Sequence, residues 1–382
     1  MLGNGGGRGW RRNAFDVIRA KTVVWRKSHP ADLAFGGWRA SATYSTRPAM
    51  KKFTLQILAL TLCLASAPLL PATDYHAFLW SAETGMQDLG TLGGSSSFAT
   101  AVNDDGAVVG FSDTTEGSTH AFLWTAGEGM QDLGVPGGTY DISFARSINK
   151  KGEISGSVSN SSGAEAAFYW TATTGFIILA QGTSDGGGIN DFTALTGTQE
   201  RGSVNQGYLW YPSRGRLRGL GLLPGGDASA AFDVNNLGNV VGSASTGSGD
   251  YHPIYWSPAT GMLDLGVLAT GDFGVANAIN DNDEVVGESH QTSTGVGFYW
   301  SQSTGLVELV TLPRRTFTIV SGINDRGMIA GQCQGDVAPT RAVLWKNYSS
   351  NPRDLGALPG GSVSAALGLN NHGQVVGWAD IP

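Results

Sequence analysis

The chain has 382 residues, of which 57 are glycine and only 14% are charged, and its formal net charge is −7. Positions 1–72 hold 11 of the 24 basic and 2 of the 31 acidic residues, so the remainder carries 13 basic against 29 acidic residues, a net of −16. Such an acidic chain argues against nucleic acid or an anionic membrane as partner, because counterion release needs clustered Lys and Arg.

Residues 1–49 carry nine Lys/Arg and two acidic residues, with Trp10, Trp25 and Trp38 and no convincing period. They read as an over-extended start or a disordered leader, with Met50 as the initiator. Residues 50–72 follow with Lys51 and Lys52, an apolar run from Phe53 to about Leu64, and the small residues Ala65, Ser66 and Ala67. That is the pattern of a secretory signal peptide, cleaved after Ala67 or Ala72. Cys63 follows Leu62 rather than a small residue, which argues against a lipid anchor. Past the leader only Cys333 remains, so residues 73–382 form no internal disulfide and rest on their core alone.

From His76 onward one unit recurs. Its tryptophans are Trp80, Trp124, Trp170, Trp210, Trp256, Trp300 and Trp345, spaced 40 to 46 residues apart. Each copy has an apolar run ending in the Trp, a turn with Gly in all but the last, and a short run best seen as MQDLG at Met86 and Met130. A Gly-rich loop comes next, then a run ending in Asn (Asn103, Asn149, Asn235, Asn280, Asn324, Asn370) and a run such as VVG at Val108. The Asn with a Gly three positions on is hairpin chemistry: Asn closes a side-chain turn and Gly supplies the positive φ. Four short runs per period of about 44 residues, none long enough for a helix, predict four antiparallel strands. The expected fold is therefore all-β, a seven-bladed β-propeller forming a single domain over 73–382. The third copy is degenerate, with Asn190 lacking its Gly and ALTG replacing VVG.

Small residues two positions before the Asn (Ala101, Ser147, Ala278, Gly322, Gly368) place that strand innermost, where seven strands converge; Asp233 is the exception. A blade then runs from the Asn strand through VVG and the Trp strand to DLG. The chain would begin with two outer strands and end with two inner ones, and pairing them closes the ring without an open edge. The seven tryptophans are expected to pack between blades.

The motifs HAFLW at His76 and His120, with MQDLG, LGG and INxxGxVVG, resemble the HAF-repeat family of bacterial extracellular repeat proteins over about residues 76–378. The resemblance implies an exported repeat protein and no established site.

In this topology the Gly-rich loops and the loops between VVG and the Trp strand share one face, which is the candidate binding surface. The ligand-binding candidates are Ser95, Ser96, Asp113, His120, Tyr140, Asp141, Asp227, His252 and Asp272. Ser97, Glu116, Asn160, Asp250, His290 and Asp336 complete the polar set there. His76, His120 and His252 begin corresponding strands of different blades, too far apart to share one metal ion. No nucleophile elbow, P-loop, HExxH or dinucleotide fingerprint is present, and no catalytic residue, metal or cofactor is assigned. The expected role is a secreted or periplasmic binding or scaffold module whose partner is a surface glycan or an envelope protein, with no membrane insertion of the mature domain. The alternative is a propeller-fold carbohydrate-active enzyme, a hydrolase or lyase, using carboxylates on the loop face.

Overall fold

The computed structural model describes residues 22–27, 38–43, 74–179, 185–202, 204–269, 271–291, 294–335 and 338–382. The signal-like residues 50–72 lie outside these, as does Asp336. Within the leader, Thr22–Lys27 and Trp38–Thr43 pair antiparallel, with Trp25 opposite Ala40; the sequence offered no period there from which to expect strands. Among the described residues no helix is long and apolar enough to cross a membrane.

Residues 74–382 form seven four-stranded antiparallel sheets, each taking its strands in chain order from inner to outer except the last. Blade I comprises Gly93–Val102, Val108–Thr114, Thr119–Thr125 and Gly129–Gly134. Blades II to VI cover 142–178, 186–219, 229–264, 273–308 and 317–354. Blade VII joins Ser364–Leu369 and Val375–Asp380 to Tyr75–Ser81 and Gly85–Asp88. Trp80 pairs with Val375 and Tyr75 with Asp380, so the two-plus-two closure is real and leaves the ring without a gap. The degenerate third copy is a full blade. Each inner strand contacts the inner strands of both neighbouring blades all the way round.

The repeated residues have separate physical jobs. In every blade the inner strand is irregular midway, and the glycine of VVG faces the irregularity. A Cβ on Gly110, Gly156, Gly197, Gly242, Gly287, Gly331 or Gly377 would lie 1.9–2.2 Å from an inner-strand carbonyl oxygen. Only glycine fits there. The tryptophans fill the seams as expected: Trp345 is fully buried and packs with Ala278, Val286 and Tyr299 of the blade before it. Trp80 joins Ala330 and Leu344 in the same manner.

The asparagines do more than close turns. Asn324 Oδ1 accepts the N–H groups of Arg326 and Met328, as a turn-closing Asn should. Its Nδ2 donates to the carbonyl of Asn370, the corresponding residue of the next blade, at 2.9 Å. The same bond repeats from Asn103 to Asn149, Asn190, Asn235, Asn280, Asn324 and Asn370, and Asn370 donates back to Asn103, all at 2.8–3.1 Å. Seven buried side-chain amides thus form a closed hydrogen-bonded ring around the axis. The following residues add a second, open circuit, in which each backbone N–H reaches a side-chain oxygen of the next blade from Lys150 round to Asp104.

Asp233, the exception to the small-residue rule, sits where the neighbouring Gly188 has no side chain, since a Cβ there would lie 2.3 Å from Asp233 Oδ1. Its carboxylate accepts the N–H groups of Val234 and Ile279. Burial pushes its pKa up to about 6 even against those bonds.

Candidate functional site

In blades I, II and IV the Gly-rich loop meets the loop between the second and third strands, so the two share a face there. Ser95 Oγ lies 3.4 Å from Asp113 Oδ2, Asn160 Nδ2 donates to the Thr139 carbonyl, and Ser245 Oγ donates to Asp227 Oδ1. These contacts give several candidates a local role. Asp113 is held by Thr119 and Ser95, and burial raises its carboxyl above the usual range despite those bonds. Ser96 Oγ accepts the Tyr75 N–H across the seam between blades VII and I. Tyr140 packs against the core shared by blades I and II. Asp141 and Asp272 are exposed. The Asp141 carbonyl accepts a bond from Ser118 Oγ, and the Asp272 N–H donates to the His290 carbonyl.

Two candidates, His120 and His252, have a structural partner within their own blades. His120 Nδ1 lies 2.9 Å from Asp132, the Asp of MQDLG on its own blade's outer strand, and His252 pairs likewise with Asp264 at 2.8 Å. His76 does the same with Asp88. Each Asp then accepts the N–H of the Gly two residues on, in the turn that leads to the Gly-rich loop. In blade VI Arg341 approaches Asp354 at 3.8 Å instead. These histidines brace the outer edges of their blades, and the recurrence of His with DLG in one repeat was the available sign.

A different set of residues is concentrated at the inner ends of the seams. Tyr75 and Trp378 of blade VII meet edge to face at 5.0 Å, and Trp378 contacts Phe98 of blade I at 6.0 Å. Phe98 stacks on Phe111 at 5.1 Å, and Phe111 meets Phe144 of blade II at 5.0 Å. Five rings therefore run across three blades, with Tyr75, Phe98 and Phe144 only half-buried. The carbonyls of Phe98, Phe144 and Asp185 each face the VVG-type glycine of their own blade, so Asp185 is the counterpart in blade III of those two phenylalanines.

At Asp185 the row turns polar. The residue is 7% exposed, and Arg146 Nη2 of blade II stands 3.9 Å from its Oδ1. Glu165, opening the third strand of blade II, hydrogen-bonds Asp185. Burial, then the charge of Asp185 and that bond, raise the Glu165 pKa to about 7, with Arg146 pulling the other way. Glu165 therefore keeps its proton towards neutral pH.

A second polar group lies in blade V. Glu288 is 2% exposed, accepts from Asn277 Nδ2 at 2.9 Å and lies 2.9 Å from His290 Nε2. The imidazole stacks on Phe273 at 4.8 Å and leans on Phe317 at 5.5 Å. Glu165, Asp185, Arg146, Glu288 and Asn277 were not among the residues expected at a site, because each stands within a strand or beside one. The signal was positional: VVGES breaks with the small, amide or aromatic residue that follows VVG-type glycines elsewhere. No group of three or more His, Cys, Asp or Glu among the described residues could hold a metal ion.

The fold defines a seven-bladed β-propeller in which an aromatic row crosses blades VII, I and II and a carboxyl–guanidinium cluster stands between blades II and III. No family model and no curated protein matches the sequence. Among solved structures, the chain is similar to prolyl endopeptidases at 13% identity, covering 74% of this chain and 46% of that one with a TM-score of 0.55. A puromycin hydrolase matches at 12% identity, 68% and 45% coverage and a TM-score of 0.50. This chain therefore spans under half the length of either protein. TolB from Acinetobacter baumannii matches at 13% identity over 70% of this chain and 71% of that one, with a TM-score of 0.45. At such identities the likeness is one of fold.

Proposed function

We propose that the protein is an exported β-propeller that binds a surface glycan on its loop face. The observation that carries this reading is the row from Tyr75 through Phe98 and Phe144 to Asp185, Glu165 and Arg146. Half-buried aromatic rings offer flat apolar faces, while carboxyls and a guanidinium take up hydroxyls. A neutral sugar has both kinds of surface. Export is supported by the signal-like residues 50–72 and by the resemblance to the HAF-repeat family.

The hydrolase alternative needs two carboxyls about 5–10 Å apart, with sugar or water between them. Glu165 and Asp185 hydrogen-bond each other, so this pair suits ligand recognition better than that chemistry. The test is a glycan array probed with the intact protein and with Phe144→Leu and Asp185→Asn variants whose melting temperatures have been checked. Binding that both substitutions weaken at least tenfold supports the reading. An array without a hit, or hits indifferent to both changes, overturns it.

A further inference from the structure

The face opposite the binding loops is built, near the axis, from the seven turns that follow the ring asparagines. The second residue after each Asn is Asp105, Lys151, Asn282, Arg326 or His372 in five blades and apolar in the other two. Blade III has Phe192, 68% exposed, and blade IV has Leu237, 61% exposed. No other large apolar side chain among the described residues is as exposed as these two. Their turns are bonded to each other, Asn190 to Asn235 at 2.8 Å and Asp191 to Asn236 at 2.9 Å. The two apolar side chains therefore stand on adjoining, mutually bonded turns, unlike the scattered single residues that any surface carries.

The Phe192 turn is held in place. Thr193, next to Phe192, takes φ 61° where five other turns have glycine, a conformation that β-branched residues rarely adopt. Its Oγ1 donates to Glu153 Oε2 at 2.6 Å and accepts from Lys151 Nζ at 3.0 Å. Neither the fold nor the ring of asparagines calls for an apolar residue at Phe192 or Leu237, since five blades manage with polar ones.

The surroundings are acidic. Asp281 and Asp283 lie in the adjoining turn of blade V, Asp325 beside the single cation Arg326 in that of blade VI, and Asp104 and Asp105 in that of blade I. No ion pair among the described residues engages any of these five, whereas Lys150 and Lys151 are already paired with Asp191 and Glu153.

We propose that this face docks a basic peptide segment of another protein, with an aliphatic or aromatic side chain seated on Phe192 and Leu237. Its Lys or Arg residues lie over Asp281 and Asp325. The apolar contact anchors the segment, and the charge sets its direction and speeds its arrival. The same carboxylates repel anionic lipid and polyanions. A propeller holding a glycan on one face and a protein on the other would connect the two.

The experiment is fluorescence anisotropy of the intact protein with a labelled peptide of alternating lysine and leucine carrying one tryptophan, and with its glutamate-for-lysine counterpart. The expected result is salt-sensitive binding of the basic peptide alone, weakened at least tenfold by Phe192→Ser with Leu237→Ser. Both side chains are exposed, so the melting temperature should not change, and glycan binding should not change either. Equal binding of both peptides, no binding of the basic one, or no effect of the double substitution overturns the proposal. Self-association in sedimentation, abolished by the same two substitutions, would also overturn it by making a second copy of this chain the occupant.

Discussion

Replacing Asn324 with alanine removes three hydrogen bonds at a point that is 4% exposed. Lost are the bonds from the N–H groups of Arg326 and Met328, at 3.1 and 2.9 Å, and the 2.9 Å bond to the Asn370 carbonyl in the next blade. A net contribution of about 0.5–1.5 kcal/mol per bond gives a loss of about 1.5–4.5 kcal/mol for the three. Against a typical domain stability of about 5–15 kcal/mol, that is a large shift. Urea unfolding followed by tryptophan fluorescence measures it. Asn324→Asp separates the turn from the ring, because aspartate keeps the acceptor for Arg326 and Met328 but sets an oxygen against the Asn370 carbonyl. It should cost at least as much as alanine at neutral pH and recover partly in acid, where a protonated carboxyl can donate. A loss below about 0.5 kcal/mol for alanine, or a neutral aspartate variant, would refute the ring as a source of stability.

The raised pKa of Glu165 has a definite sign. Its folded value of about 7 exceeds the ordinary 4.5, so the folded state holds the proton more tightly and its contribution is complete below about 4.5. It is lost as pH rises towards and through about 7. Glu165→Gln should therefore flatten the fall in stability between pH 4.5 and 7 and raise stability at pH 8 by about 2–3 kcal/mol, read from urea midpoints across pH. Ending the chain after Gly361 removes both inner strands of blade VII. Circular dichroism should then show one cooperative loss of the whole propeller, and an unchanged melting temperature would contradict the closure. Gly287→Ala puts a methyl 2.0 Å from the Val275 carbonyl oxygen, between backbone atoms that cannot yield. It should cost about 1–3 kcal/mol or more in the same unfolding assay. Trp345→Ala empties a fully buried site and leaves the Val310 carbonyl without its indole donor, costing about 3–5 kcal/mol by thermal melting.

The architecture was legible because the repeats write the same physical constraints again and again, with Asp233 the exception to one of them. The Gly of VVG, the small residue before the Asn and the Trp all mark places where a seam or a strand irregularity leaves no choice of side chain. The inner strand followed from the small residues Ala101, Ser147, Ala278, Gly322 and Gly368, with Asp233 as the exception, and the two-plus-two closure followed from the blade boundaries which that strand sets. The asparagine ring was hidden behind a correct but smaller reading: Asn324 does close its turn, yet its amide also reaches the next blade, and no spacing along the chain reports a bond between residues 46 apart. The site was harder still. His120 and His252 stood out as repeated polar residues, and repetition was the mark of a structural pair with Asp132 and Asp264. Glu165, Asp185 and Arg146 occur once each, on elements whose neighbours are known only when blades II and III come together. In a repeat protein the residues that break the pattern are the candidates for function, and what such a break adjoins is visible only once the pattern has been placed in space.

The measurement that tests the account most directly is amide hydrogen exchange of the intact protein with and without a glycan recovered from the array. The account predicts protection at residues 95–98, 142–146, 160–165 and 185–187, with none at the asparagine turns 190–193 and 235–238. Protection confined to those turns, or spread evenly over the ring, would contradict a glycan site on the loop face.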